Sequence, residues 1–526
     1  MDDVLIIGAG MSGLYQLHRC RRAGLSAHVV EAGDDIGGTW YWNRYPGARF
    51  DSESYSYAYS FSEDLLDEWR WSEHFAGQPE VLGYLRHVAD RFDLRRDITL
   101  GVRVTSAAWD DGERCWTVAA DDGSTRRARY LVLAIGALSV PNLPPLPGIE
   151  RFGGRWFHTA QWPREPVPLD GRRVAVIGTG ATGVQLIQEA AKTAARLTVL
   201  QRTPNWCSPL RNSPIDNETH ASLREHATEI FERCRDTFGG FLHDTDRRKA
   251  TVVSPEERTA FYEELYARPG FALWMGNFRD VLVDPVANAT LSTFMAEKIR
   301  ARVHDPAVAE RLIPHNHGYG TRRVPLESGY YEVYNQPNVE LVDLRETPIV
   351  EATPTGITTT AGHHEVDLIV FATGFDAVTG PFDRIDIRGV DGARLAEHWA
   401  DGPLTYLGLG TAGFPNMFSI VGPHNAAAFC NMPRCIEHNV EWVTDLLALG
   451  HTRICATAEA QAEWTAECHL FAARMLFSKT DSWFTGRNSP GRDEQRKVLL
   501  YAGGFPTYQE RLAEVAANGY LGFELG

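Results

Sequence analysis

Cysteine is scarce in this chain, with eight scattered over 526 residues. Even the nearest pair, Cys430 and Cys435, lacks the spacing of a zinc site or a redox motif. A disulfide-stapled secreted scaffold is therefore excluded, and no metal ligand set is expected. Long hydrophobic runs are missing too: none approaches the ~18 residues of a membrane helix. The chain opens Met-Asp-Asp, with no basic leader. The expected location is cytoplasmic, with no membrane partner. Basic residues are outnumbered, 52 Lys plus Arg against 68 Asp plus Glu, for a formal charge of −16. That excess repels nucleic acid and anionic lipid, so nucleic acid is not an expected partner either. Solenoid repeats and low-complexity tracts are also absent.

What the sequence does contain is ordinary globular material, 44% hydrophobic and 23% charged. Its 11% aromatics exclude a disordered chain. At ~150 residues per domain the length gives two to four domains. Two stretches resemble each other. The first is Val4-Leu-Ile-Ile-Gly-Ala-Gly-Met-Ser-Gly13, then a helical pattern through Leu14, Leu17 and Arg21, then an apolar strand at 27–30. The second is Val174-Ala-Val-Ile-Gly-Thr-Gly-Ala-Thr-Gly183, a helix through Val184, Ile187 and Ala191, and a strand at 197–200. Each reads as strand, tight turn, helix, strand. Residues 130–136 and 367–374 are further buried-strand patterns ending at glycine, and a Pro-rich linker follows at 141–147.

These patterns predict an α/β fold with two Rossmann-like dinucleotide-binding domains and a helical insertion. The first domain is expected to comprise 1–137 and 377–526, and the second 138–210 and 318–376. The insertion at 211–317 is polar and helical in pattern, with no glycine fingerprint of its own.

The two fingerprints call for different nucleotides. In Gly8-x-Gly10-x-x-Gly13 the glycines allow the tight turn, the approach of a pyrophosphate and close helix packing. Glu31 lies eighteen residues past Gly13, placed to accept from a ribose hydroxyl, as FAD requires. The following Gly37-Gly38-Thr39-Trp40 lets a loop lie flat on a large planar cofactor. In Gly178-x-Gly180-x-x-Gly183 the equivalent position is Gln201, followed by Arg202 and Thr203. An arginine there binds a 2′-phosphate that a carboxylate would repel, so the second site selects NADPH. A solvated strand-end arginine is the alternative for Arg202. Electrons then pass from NADPH to flavin. A disulfide acceptor is excluded, since Cys20 is the only cysteine before Cys115. Oxygen is the expected acceptor.

At this point the sequence resembles the type I Baeyer–Villiger monooxygenases. Phe152, Gly154, His158, Trp162 and Pro163 reproduce that family's signature of Phe, any residue, Gly, three residues, His, three residues, Trp, Pro. Related N- and S-oxygenating flavoproteins usually carry Tyr or Phe at the position of Trp162. The likeness continues through residues 37–51, Gly320-Thr-Arg-Arg323, Ala372-Thr-Gly-Phe-Asp376 and Asn488-Ser-Pro-Gly491, and so spans essentially the whole chain. The resemblance implies bound FAD, NADPH as reductant, and insertion of one atom of O2 beside a ketone carbonyl through a C4a-peroxyflavin, giving an ester or lactone. It assigns catalysis to Arg323, held by Asp51. Arg322 stands where the family usually has a lysine that binds the 2′-phosphate. Trp483 matches a tryptophan on the nicotinamide side, with an ordinary core tryptophan as the alternative. Ala428, Phe429 and Met432 match the loop lining the ketone pocket, whose wording looks like the branch that acts on bulky cyclic and terpenoid ketones; Phe50 is a further pocket candidate. His158 is expected to organise the interdomain linker rather than to act as a base. The rival readings are an N- or S-oxygenating flavin monooxygenase and a non-catalytic redox sensor. Oligomeric state is left open.

Overall fold

The structure, a computed structural model, describes residues 1–425, 430–487 and 495–526. Its organisation follows from a few apolar runs that are buried on both faces, as parallel strands covered by helices must be. Val4, Leu5 and Ile6 are fully buried, as are Leu131, Val132 and Leu133. The strand Asp2–Ile7 lies between Ala27–Val30 and Thr125–Leu133, parallel to both, in an eight-stranded sheet. Late segments return to that sheet. Asp386–Arg388 pairs with Val104–Asp110, and Met417–Ser419 pairs with Thr125–Leu133.

The second sheet has five strands, all parallel, in the order Val339–Asp343, Arg196–Gln201, Arg173–Ile177, Leu368–Phe371, Arg155–His158. The architecture is α/β with two Rossmann-like sheets, as expected. Helices Asn217–Glu225, Ala227–Asp236, Pro255–Ala267, Pro285–Arg302 and Pro306–Leu312 occupy the stretch expected to be helical. Trp274, Phe294 and Ile299 of this stretch share one core with Val174 and Val199 of the second sheet. Phe477, Phe484 and Leu499 join that core as well, so part of the C-terminal region packs on the helical layer instead of on the first sheet.

The two sheets are joined by a double crossing. Val378 donates its backbone N–H to Ala137 O (2.8 Å), Asp376 to Val140 O (2.9 Å), and Asn142 to Gly374 O (2.8 Å). The Pro-rich linker and the returning chain thus run as one paired strap.

Candidate active site between the two sheets

Helices Met11–Arg22 and Ala181–Thr193 both begin directly after a Gly-x-Gly turn, with Gly10 and Gly180 at their N-caps and no side chain capping either. Their first N–H groups are left for an anion, and the helix dipole favours one there. The third glycine has no choice of side chain. A Cβ on Gly13 would collide with the Gly8 carbonyl oxygen, and one on Gly183 with that of Gly178. The loop carrying Gly38, Thr39 and Trp40 lies against the first turn: Gly37 N–H donates to Ala9 O (2.9 Å), and a Cβ on Gly38 would fall 2.8 Å from the Gly10 Cα.

Glu31 sits at the end of the second strand and is 5% exposed. Its Oε2 accepts from Ala9 N–H and its Oε1 from Gly33 N–H, both at 2.7 Å. Burial pushes its pKa up and these two hydrogen bonds oppose the rise. The carboxylate therefore braces the fingerprint turn as well as facing the cleft, a role that counting residues could not disclose.

Between the sheets lies a cleft of about 1640 Å³. That exceeds the ~300–1,000 Å³ of a pocket for one small molecule. Both fingerprints line it, together with Arg202, Thr203, Arg322, Asp51 and Arg323. Gln201 does not: it is fully buried and donates to Arg311 O (2.8 Å), turned away from the cleft. Arg202 is exposed and lies near Arg322. Burial, then the charge of Arg202, lowers the Arg322 pKa to about 10, with Asp481 acting the other way. Two cations repelling each other beside a nucleotide fold suit a phosphate group. Two uncapped helix ends, this cation pair and the volume together fit FAD and NADPH. No cluster of three or more His, Cys, Asp or Glu side chains suited to a metal is present among the described residues.

On the wall of the cleft the Arg323 guanidinium is gripped by Asp51, Nη2 to Oδ1 at 2.7 Å and Nε to Oδ2 at 3.1 Å. Both side chains keep roughly a fifth of their surface open, 21% and 23%. The guanidinium lies 5.2 Å from the ring centre of Phe271 and 6.0 Å from that of Trp274. Asn205 donates to the Arg323 carbonyl (3.1 Å) and so fixes its backbone. Phe271 and Trp274 escaped the sequence reading, because aromatic residues in a helical stretch carry no mark of what they face, and so did Asn205, an asparagine in no motif. So did Tyr45 and Gln185: the Tyr45 hydroxyl donates to Gln185 Oε1 (2.7 Å), while Gln185 donates to Arg49 O (3.0 Å). These bonds tie the loop before Asp51 to the second fingerprint helix.

The signature residues stand around the strap. Phe152 and Trp162 are buried, Pro163 is half-buried, and a Cβ on Gly154 would strike the Asp367 carbonyl oxygen. His158 is 2% exposed, accepts from Ala160 N–H (3.1 Å) and packs edge-on against Phe375. Burial lowers its pKa to about 4, with the Gly374 backbone opposing. Trp483 and Met432 both line the cleft, as does the buried Phe50. Ala428, Phe429 and the segment 488–491 lie outside the described residues.

Comparison with known proteins agrees with this geometry. Residues 1–213 match the family described as FMO-like, flavin-binding monooxygenase-like. The chain is 46% identical to the 2-oxo-Δ3-4,5,5-trimethylcyclopentenylacetyl-CoA monooxygenase of Pseudomonas putida, over 99% of this chain and 98% of that protein. It is 42% identical to the phenazine N-monooxygenase PhzNO1 of Lysobacter antibioticus, over 99% and 97%. A crystal structure of OTEMO in complex with FAD and NADP superposes with a TM-score of 0.96 at 46% identity, covering 100% of this chain and 99% of that one. The chain belongs to the Baeyer–Villiger monooxygenases within the flavin-binding monooxygenases. No helix among the described residues is long and apolar enough to cross a membrane.

Proposed function

We propose that this protein converts a cyclic ketone to an ester or lactone in the cleft between its two sheets. The enzyme is an FAD- and NADPH-dependent oxidoreductase. The balanced reaction takes ketone, O2, NADPH and a proton to ester, NADP+ and water. Bound FAD supplies the activation of O2 with electrons from NADPH. The rest falls to the chain. The observation that carries the reading is the Asp51–Arg323 fork, open to a cleft that is lined by both nucleotide fingerprints.

Oxygen insertion places negative charge on the attacking oxygen and then on the ketone oxygen. Arg323 is a permanent, planar cation and stabilises both, while Asp51 fixes its plane. Gly8, Gly10, Gly13, Glu31, Gly38, Thr39 and Trp40 hold FAD. Gly178, Gly180, Gly183, Arg202, Thr203 and Arg322 hold NADPH, with Trp483 on the nicotinamide side. Met432, with Ala428 and Phe429 beyond the described residues, walls the ketone pocket. His158 and the signature around it brace the strap. In this reading 1–137 with 377–526 form the flavin unit, except that Phe477, Phe484 and Leu499 pack with the helical layer, 138–210 with 318–376 form the NADPH unit, and 211–317 the helical insertion.

A bulky cyclic ketone is the substrate class this reading favours, supported by the Pseudomonas relative. Nitrogen oxygenation is the second reading, favoured by the Lysobacter relative. Incubation with NADPH, O2 and a panel of cyclic ketones and aromatic N-heterocycles, with products identified by mass, tests both. Ester gaining one oxygen atom is expected. N-oxides without ester would reverse the order, and NADPH consumption yielding only peroxide from every compound would remove both.

A further inference from the structure

The cleft that holds the Asp51–Arg323 fork is also lined by a hydroxyl group that the reading above leaves unused. Tyr57 ends the short helix Ser54–Tyr57 and lines the cleft with Trp40, Phe50 and Arg323. Its ring stacks on Phe50 at 4.6 Å, and the Trp40 ring meets both edge-on, at 5.8 Å for Phe50 and 5.9 Å for Tyr57. Three packed rings hold the hydroxyl in place before any substrate arrives.

The hydrogen bonding of that hydroxyl is asymmetric. Trp40 Nε1–H donates to the Tyr57 oxygen at 3.2 Å. An indole N–H only donates, so this contact occupies a lone pair and leaves the phenolic proton unspent. No protein acceptor takes that proton among the described residues. The hydroxyl also lies in the field of both charges of the fork. Burial, with Asp51, holds the phenol protonated far above neutral pH, Trp40 and Arg323 opposing. A group in this state donates a hydrogen bond and does not give up its proton.

We propose that Tyr57 is a further catalytic residue, whose O–H donates to the carbonyl oxygen of the ketone. This rests on the ketone reading above. The carbonyl oxygen gains negative charge when its carbon is attacked, and a donor already aimed there strengthens its bond as the charge grows. Arg323 and Tyr57 would then share that oxygen, and the Trp40 N–H bond would make the phenol a better donor by polarising it. No proton is transferred and no electron moves through Tyr57.

The discriminating variant is Tyr57→Phe, which keeps the ring on Phe50 and removes only the hydroxyl. With cyclohexanone the ester-forming kcat/KM is expected to fall roughly ten- to a hundredfold, with more peroxide released per NADPH. With thioanisole, which has no carbonyl oxygen, sulfoxide formation should stay within about twofold, a reaction indifferent to a carbonyl donor. FAD content and the rate of reduction by NADPH should be unchanged. A merely structural tyrosine would lower ketone and thioether oxidation together, and that result overturns the proposal, as does unaltered ester formation. A second readout needs no turnover: the infrared carbonyl stretch of 13C-labelled cyclohexanone bound to the oxidised enzyme. The hydrogen bond should lower it in the unmodified protein, and Tyr57→Phe should raise it again; equal frequencies in the two proteins refute the bond. An unmodified enzyme that makes no ester from any ketone defeats the ketone reading, and the infrared comparison still decides whether Tyr57 binds a carbonyl.

Discussion

Asp51 holds both Nε and Nη2 of Arg323 across 272 residues of sequence, a two-pronged contact that fixes the plane of the guanidinium and not merely its position. A single-point ion pair would let the arginine swing. Here the fork sets the cation on the wall of the cleft while Phe271 and Trp274 close in on it. The arrangement suits a charge that must meet a developing anion without rearranging.

That relationship sets the first expectation. Arg323→Ala should still bind FAD and accept electrons from NADPH, yet lose ester formation by ~10²–10³, the usual cost of removing one electrostatic donor. Arg323→Lys keeps the charge but loses the fork, so partial activity is expected at best. Asp51→Ala should act in the same direction, less strongly. Ester formed per NADPH consumed, with peroxide counted in parallel, is the measurement; undiminished coupling in Arg323→Ala would leave the pair a structural one.

The cation pair beside the second fingerprint should read the reductant. Arg202→Ala is expected to lower NADPH efficiency roughly ten- to a hundredfold, from the ~1.5–3 kcal/mol of one charge-assisted hydrogen bond. NADH efficiency should hardly change. Arg322→Ala should hurt NADPH use too, while the ligand-free protein melts no earlier, because a buried cation repelled by Arg202 has been removed. Equal losses with NADH and NADPH would show that neither arginine reads the phosphate.

Glu31 serves the turn and the cleft at once, so its removal should do two things. Glu31→Ala removes the carboxylate that accepts from the Ala9 and Gly33 N–H groups and should retain FAD poorly and unfold at lower temperature, with each charged hydrogen bond worth ~1.5–3 kcal/mol. Protein reloaded with excess FAD should turn over near normally, since the carboxylate lies at the fingerprint. Thermal unfolding with and without added FAD, followed by turnover, checks this, and a reloaded enzyme that remains dead would place Glu31 closer to the chemistry.

Histidines withdrawn from water set an acid limit, among them the buried His158 and His424 and the half-buried His438. Burial lowers His158, His424 and His438 to about 4, from an ordinary 6.5. Between those values the unfolded chain binds protons that the folded chain refuses, so stability is full above pH 6.5 and falls as pH drops toward 4. Each withheld proton contributes a slope of up to ~1.4 kcal/mol per pH unit. Urea unfolding at pH 7.5, 6 and 5 should show the decline, and His438→Gln should flatten it. A midpoint constant across that range contradicts the assignment.

How much of this was legible in the residues depends on distance along the chain. Both βαβ units could be read directly, since a buried parallel strand, a glycine turn and an amphipathic helix are all local patterns, and Gly13 and Gly183 announce a close approach that only glycine permits. Arg202 followed from its position after a strand. Asp51 and Arg323 were named through family likeness. Nothing in the local sequence joins residues 272 apart, and only the tertiary packing that brings Arg323 against the loop of Asp51 makes them a fork. Gln201 and Glu31 mark the same limit on a smaller scale. Both stand eighteen residues beyond a fingerprint, yet one turns inward to Arg311 and the other to Ala9 and Gly33. Side-chain direction at a strand end depends on which backbone groups lie nearby, so it belongs to the tertiary structure. Tyr57 completes the pattern: nothing in Ser54–Tyr57 marks it as a cleft residue until the rings of Trp40 and Phe50 close on it. The sequence determined the nucleotide folds and the reductant, because those rest on periodicity and on charge at fixed spacing. Tertiary packing alone decided which groups meet in the cleft, because Trp40, Asp51, Tyr57 and Arg323 reach it from separate stretches of chain.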